Sequence, residues 1–473
     1  MADRLTTLDT TFLALEDEVT PLHVGSVMVF DVPAQGLDYG LLVQHIADRI
    51  AYVPRYRQRL RAVPGGFANP VWVDDERFDV TYHVRRSALP RPGSDEQLEE
   101  LVARIMPRPL DRERPLWEVY VVEGLADDRF AIISKAHQVL VDGVHAVDLT
   151  QIILDDTPTT RITGTSWRPG RSPSNTELLV GAVTDAFRTP SQVIETFQNG
   201  LTDIKATAGR ALSAAGSVVS AIAKVSARPA PTSPLNAPVG RARRFVMVGT
   251  DLDDYRKVRA RLAQGNFGED ITIHDVMLAT IAGAMRAWLL TRGESVQSGS
   301  SIRTLVPLSV AGDDSESGHT LIASFIDLPV GEPAPGMRLH QIAFAMKQQV
   351  DKGRSVPAET LSGMGGFAPS TIHALGARVA AAVSRRMFNV AVTNVPGPQK
   401  PLWVAGSRLV ASYPVMPFGP GQALSIGLTS YDGGVYYGIY TDRDAIPDAD
   451  VLGQAVVESL RELLDAPAPR TRG

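Results

Sequence analysis

Residues able to take part in proton transfer gather in one short stretch, SKAHQVLVDGVHAVDL, from Ser134 to Leu149. His137, Gln138, Asp142 and Gly143 stand there between a strand-like apolar run and a helix-like one. A histidine, with a pKa of about 6.5, can accept the proton of a hydroxyl as its oxygen attacks a carbonyl. The Gln138 carboxamide has two N–H donors and a weakly basic oxygen. It can orient a hydroxyl or help hold an oxyanion, but it is not a conventional base. Gly143 suits a tight turn into the helix. Asp142 suits a helix cap or an arginine partner better than direct catalysis. His145 and Asp148 are three apart, but two ligands with no third and fourth make a poor metal site.

These residues need a scaffold, and the hydrophobic periodicity supplies one. LTTLDTTFLALED reads as a short helix and HVGSVMVFDV as a strand. Leu37, Leu41, Leu42, His45, Ile46 and Ile50 recur at helical spacing. Ser94 and Gln97 have capping-box spacing at the head of another helix. LWEVYVVEG and FAIISKAH read as a hairpin leading straight into the polar stretch. From Asp155 to Pro173 the chain is a loop rich in Thr, Pro, Gly and Ser. A long amphipathic helix is expected next, with Thr189 as cap, Pro190 at its first position and Pro229 beyond its end. Its apolar stripe from Val193 to Ile222 suits a connector packed across a domain better than a helix lying in a membrane interface. Further on, RRFVMVGTDL, RTLVPLSV, LIASFIDLPV, FNVAVTNVPG, GSRLVASYPV, ALSIGLTSYDG and VYYGIYTD read as strands. TIHDVMLATIAGAMRAWLLTRG is a helix capped by Thr272 and stopped at Gly293, and DADVLGQAVVESLRELLD closes the chain as a helix.

The chain has 473 residues, long enough that two domains are the better expectation. A net charge of −5 argues against a nucleic-acid binder. With no cysteine, thiol nucleophiles, disulfides and cysteine-ligated zinc are excluded. The N-terminus lacks the basic and apolar regions of a signal peptide, and no stretch reads as the roughly 18 to 20 apolar residues of a membrane span. A cytoplasmic protein is expected, with peripheral membrane contact left open. No nucleophile-elbow, Walker A or dinucleotide fingerprint is present.

HQVLVDG, from His137 to Gly143, resembles the HHxxxDG motif of the bacterial wax ester synthase/diacylglycerol acyltransferase family, in the coenzyme A-dependent acyltransferase superfamily. PLHVG at Pro21 to Gly25, PLW at Pro115 to Trp117, RTLVPLSV and TNVPGP at Thr393 to Pro398 are similar to further family elements, in the same order. The resemblance implies an α/β (α+β) fold of two chloramphenicol-acetyltransferase-like mixed-sheet sandwiches joined by the long helix. We divide it at 1–175, 176–240 and 241–473. It implies a channel between the halves with the HQVLVDG loop at its middle, coenzyme A and the alcohol entering from different sides. It also implies transfer of a fatty acyl group from acyl-CoA to diacylglycerol, or to a long-chain alcohol, with no permanently bound cofactor and no metal. Lipid-droplet or membrane contact is compatible with those substrates.

Three positions depart from the pattern. The family's second histidine, its general base, is Gln138 here; an Asn-Asp pair reads His274-Asp275; and a Gly-Asn pair reads Gly318-His319. Three outcomes stay open at this point. His137 serves as base only if the backbone turns it into the site, because neighbours on an extended segment face opposite sides. His145 or His274 reaches the site from a helix. Or the chain is a slow or silent acyl-CoA-binding homologue. His137, Gln138, Asp142 and Gly143 are the catalytic candidates, with His145, His274, Asp275 and Asn394 as substrate-binding candidates. Arg55, Arg57, Arg59 and Arg61 alternate as if along one strand, more as a solvated or acid-paired edge than as a phosphate site. Trp117 reads as core, and His23 and His83 as satisfied structural histidines.

Overall fold

The computed structural model of this chain describes residues 3–5, 9–10, 13–14, 16–66, 68–141, 149–159, 167–188, 229–263, 271–311, 319–352 and 387–467. Its strands, in chain order, are β1 (His23–Asp31), β2 (Gln58–Arg61), β3 (Val71–Asp74), β4 (Val84–Ala88), β5 (Trp117–Leu125) and β6 (Arg129–His137). The second half adds β7 (Arg243–Asp251), β8 (Ile302–Ala311), β9 (His319–Leu328), β10 (Val390–Pro396), β11 (Trp403–Val404), β12 (Ser407–Val415), β13 (Leu424–Tyr431) and β14 (Gly434–Asp442). They form two six-stranded sheets, ordered β11-β12-β1-β6-β5-β4 and β7-β14-β13-β10-β8-β9, with β2 and β3 as a separate pair. Both large sheets are mixed: β4 runs parallel to β5, and β10 runs parallel to β8 and β13, while the other neighbours are antiparallel.

Side-chain alternation assigns each face of the first sheet its own core. Val27, Val29, Ala131 and Ile133 pack with Leu98 and Val102 of the Asp95–Ile105 helix, and with Phe245 and Tyr440 of the second half. That helix starts on the expected capping box of Ser94 and Gln97. The opposite face, with Met28, Phe30, Phe130 and Ile132, packs on Leu42 and Ile46 of the Tyr39–Ile50 helix. The same cluster takes in Leu305, Ala391 and Met416, so the halves share a continuous apolar seam. The far face of the second sheet is covered by the helices Ile273–Thr291, Pro335–Lys352 and Ala449–Asp465.

Two strands of the second half, β11 and β12, belong to the first sheet, where β12 pairs with β1. The pairing of β1 with β6 requires Gly25: a Cβ there would stand 2.0 Å from the Ser134 carbonyl oxygen.

Three expectations need amendment. The arginine row is not one strand: Pro54–Arg57 is a 3₁₀ turn and only Gln58–Arg61 is extended, because Pro54 sets the turn. Arg55 lies over Trp72 and Arg57 over Trp167, each at 4.4 Å, while Arg61 donates to the Pro173 carbonyl at 2.6 Å. The Ile273–Thr291 helix is long and apolar enough to cross a membrane, against the expectation that no stretch is. Its residues from Asp275 to Met285, with Trp288 and Leu289, are buried, as in the core helix of a folded domain. The long helix expected from Thr189 lies outside the described residues apart from a preceding helix, Asn175–Arg188.

Candidate active site

Three of the sequence elements meet at one end of the first sheet. β6 ends at His137, and Gln138–Val141 forms a helical turn directly after it. The His137 N–H donates to the Leu116 carbonyl at 2.9 Å, within PLW. The Gln138 N–H donates to the Leu22 carbonyl at 3.0 Å, within PLHVG. Trp117 anchors the PLW side: it is fully buried, its indole N–H donates to the Tyr56 carbonyl at 2.7 Å, and His83 stacks on it with ring centres 4.5 Å apart. His83 Nδ1 is 2.8 Å from the Trp117 carbonyl, while Nε2 is buried with no hydrogen-bond partner among the described residues, so the expectation of a satisfied histidine holds for one ring nitrogen only.

His137 shares the β6 face of Ala131, Ile133 and Lys135, under the Asp95–Ile105 helix, opposite the face whose core takes in Leu305, Ala391 and Met416. Its Nδ1 accepts the Val139 N–H at 3.2 Å. The proton of a neutral ring therefore sits on Nε2, which lies 3.4 Å from Glu16 Oε2. His23, cross-strand partner of His137, donates from Nδ1 to the Met106 carbonyl at 2.9 Å and turns Nε2 to Glu16 Oε1 at 3.4 Å. Arg112 donates to Glu16 Oε2 at 2.6 Å, and the Leu22 N–H reaches Oε1 at 3.3 Å. Burial pushes the Glu16 carboxyl up. The hydrogen bond and charge of His137, with His23 and Arg112, outweigh that and hold it far below the usual carboxylate range. Burial, then the Lys135 charge, drives the His23 imidazole well down. Lys135 is itself lowered to about 8 by burial; its ammonium donates to the Ile105 carbonyl at 3.1 Å and to that of Arg108.

Gln138 is fully buried, and the next two residues, Val139 and Leu140, belong to the apolar seam shared by the halves. Asp142, Gly143, His145 and Asp148 lie outside the described residues, and so does the waist of the expected channel. Among the described residues no group of three or more His, Asp and Glu could hold a metal ion.

The second sheet brings together two of the other candidates. Asn394, on the β10 face of Val390 and Val392, donates from Nδ2 to His274 Nδ1 at 2.8 Å and contacts Met277 Sδ at 3.2 Å. Burial pushes the His274 imidazole down to about 4, so it is neutral at pH 7. Its Nε2 is buried with no hydrogen-bond partner among the described residues. With Nδ1 accepting, Nε2 is an N–H donor. Were Asn394 to present its oxygen instead, Nε2 would be an acceptor. Asp275 completes a capping box with Thr272: Oδ2 accepts the Thr272 N–H and hydroxyl, each at 2.7 Å. Burial raises its pKa, against those hydrogen bonds.

Glu16 and Arg112 were not singled out from the sequence. Glu16 lies in the acidic run LEDEV, at the end of the stretch expected as a short helix, and no local spacing ties it to His137. The nearest signal was PLHVG just after it.

Two mixed sheets that share a seam, the first completed by β11 and β12 of the second half, with a histidine-led turn at the end of a central strand, define the class: a chain of two chloramphenicol-acetyltransferase-like halves. The first condensation domain of the calcium-dependent antibiotic synthetase has this fold, with a TM-score of 0.57 over 99% of this chain and 98% of that one. At 16% identity that likeness concerns the fold alone. The chain belongs to the wax ester synthase/diacylglycerol acyltransferase family. Residues 5–276 match its catalytic domain and residues 318–464 its C-terminal domain. A Mycobacterium tuberculosis H37Rv relative named "Probable diacyglycerol O-acyltransferase tgs1" is 32% identical over 467 residues, 98% of this chain and 96% of that one. Another from that strain, tgs3, is 44% identical over 262 residues, 55% of this chain and 97% of its own length. The solved wax ester synthase/diacylglycerol acyltransferase from Marinobacter aquaeolei VT8 is 28% identical, with a TM-score of 0.66 over 98% of this chain and 99% of that one.

Proposed function

We propose that this protein transfers a fatty acyl group from acyl-CoA to the free hydroxyl of diacylglycerol, forming triacylglycerol, with long-chain alcohols as further acceptors. One observation carries the reading: relatives named for that activity align along nearly the whole chain, with PLHVG, PLW and the His137–Gln138 turn in contact. The acceptor oxygen attacks the thioester carbonyl carbon, and its proton passes to water, because neither Gln138 nor His137 takes it up. The tetrahedral intermediate then expels the coenzyme A thiolate, which is protonated on leaving. The Gln138 carboxamide donates N–H to the alcohol or the oxyanion but takes up no proton at neutral pH. His137 has one ring nitrogen accepting from Val139 and the other directed at Glu16, so its role is to hold the turn. Lacking a histidine at position 138 is expected to slow the chemical step by about 10²- to 10⁴-fold, without removing what binding and oxyanion donors contribute.

Diacylglycerol resides in membranes, so the reading includes a cytoplasmic protein that touches a lipid surface peripherally. Incubating the purified protein with labelled palmitoyl-CoA and diolein tests it. Labelled triacylglycerol and free coenzyme A in equal amounts are expected; acyl-CoA binding without product would overturn it.

A further inference from the structure

Four contacts join head to tail around Gln138. The Gln138 N–H donates to the Leu22 carbonyl at 3.0 Å. The Leu22 N–H donates to Glu16 Oε1 at 3.3 Å. His137 Nε2 faces Glu16 Oε2 at 3.4 Å, and His137 Nδ1 accepts the Val139 N–H at 3.2 Å. The circuit joins two chain segments, 16–22 and 137–139, and one carboxylate closes it. Both oxygens of Glu16 are engaged, and only 11% of its side chain is exposed.

We infer that Glu16 is a positioning residue for acyl transfer: it fixes the His137 ring, and through it the turn that aims Gln138 at the reacting atoms. This rests on the acyltransferase reading above. The ring of His137 cannot rotate without giving up either Glu16 or Val139. A displaced Val139 N–H would loosen the helical turn at its first residue, where the catalytic side chain leaves the backbone. Arg112 balances the charge from the solvent side, donating to Oε2 at 2.6 Å. His23 Nε2 lies 3.4 Å from the other oxygen, but with Nδ1–H given to the Met106 carbonyl the neutral ring has no proton to offer it. In this role Glu16 neither contacts substrate nor moves a proton. Its effect is geometric, of the kind second-layer partners of functional histidines exert.

The test is a double-mutant cycle on triacylglycerol synthesis, with Glu16→Gln, His137→Asn and the two together. Glu16→Gln is expected to lower kcat by roughly 10- to 100-fold, leaving KM for palmitoyl-CoA unchanged. The double variant should be no slower than His137→Asn alone, because both changes cut one chain of contacts. Glu16→Asp keeps the charge but is one methylene short, and should recover part of the lost turnover. Wild-type kcat in Glu16→Gln, or losses that multiply in the double variant, would overturn the inference. If Glu16→Gln does not fold, Glu16→Asp carries the same comparison: reduced kcat at unchanged KM supports the role, and wild-type kcat contradicts it. A wild-type protein that makes no triacylglycerol would instead sink the acyltransferase reading, so the two failures are distinct.

Discussion

His274 shows how far burial alone can move one residue. Its imidazole titrates at about 4 in the fold and at about 6.5 when unfolded. Between those values the unfolded chain binds the extra proton, so stability rises with pH there. The contribution is fully present above about 6.5 and is lost as the pH falls toward 4. Thermal melts of the wild type and His274→Asn should therefore differ by an amount that shrinks from pH 7 to pH 4. A gap independent of pH would contradict this. The same residue illustrates what the sequence could and could not tell. That His274 and Asn394 both belonged to family elements was legible, but their hydrogen bond was not, because the pairing comes from a helix crossing a strand remote in sequence. Gln138 posed the opposite case: its chemistry was plain from residue type, while its surroundings required the fold. That His137 faces away from Gln138 was foreseeable from strand alternation, whereas its contact with Glu16 was not, because no local spacing ties the two.

At the scale of elements, β1 and β6 form the spine on which the site is built. Alternation and turn residues sufficed to find them, the β5–β6 hairpin and nearly every strand of the second half. They did not reveal that β12 leaves its own half to pair with β1, because a half-buried pattern reports burial and not the partner strand. Nor did they reveal the 3₁₀ turn at Pro54, which breaks the arginine row. Gly25 is where the spine is most sensitive, since a methyl group there would meet backbone, which cannot rotate away. Gly25→Ala should part β1 from β6, cost about 1–3 kcal/mol or more, and disturb the His23–His137 pairing two residues along. Urea denaturation should show a lower midpoint together with lost activity. A wild-type midpoint would mean that the strands approach less closely than described.

At the scale of the whole molecule, the halves are fastened beside the site. Arg243, at the start of β7, is buried with Asp442 at 3.5 Å and also donates to the Val19 carbonyl, three residues beyond Glu16. Its guanidinium lies over Phe418 at 4.7 Å. Removing one partner of a buried ion pair typically costs about 3–5 kcal/mol. Arg243→Met should therefore lower stability by that order in calorimetry and weaken the hold on the segment carrying Glu16; an unchanged melting temperature would rule out the fastening. The division at 1–175, 176–240 and 241–473 is our proposal for the chain's course, with β11 and β12 crossing back into the first sheet. The central claim is that the protein is an acyltransferase whose turnover is set by a glutamine where its family has a base. It is tested most directly by comparing triacylglycerol formation from palmitoyl-CoA and diolein by the wild type and Gln138→His. We predict product from both, with kcat raised about 10²-fold or more in the variant; product from neither, with both proteins folded, would contradict the account.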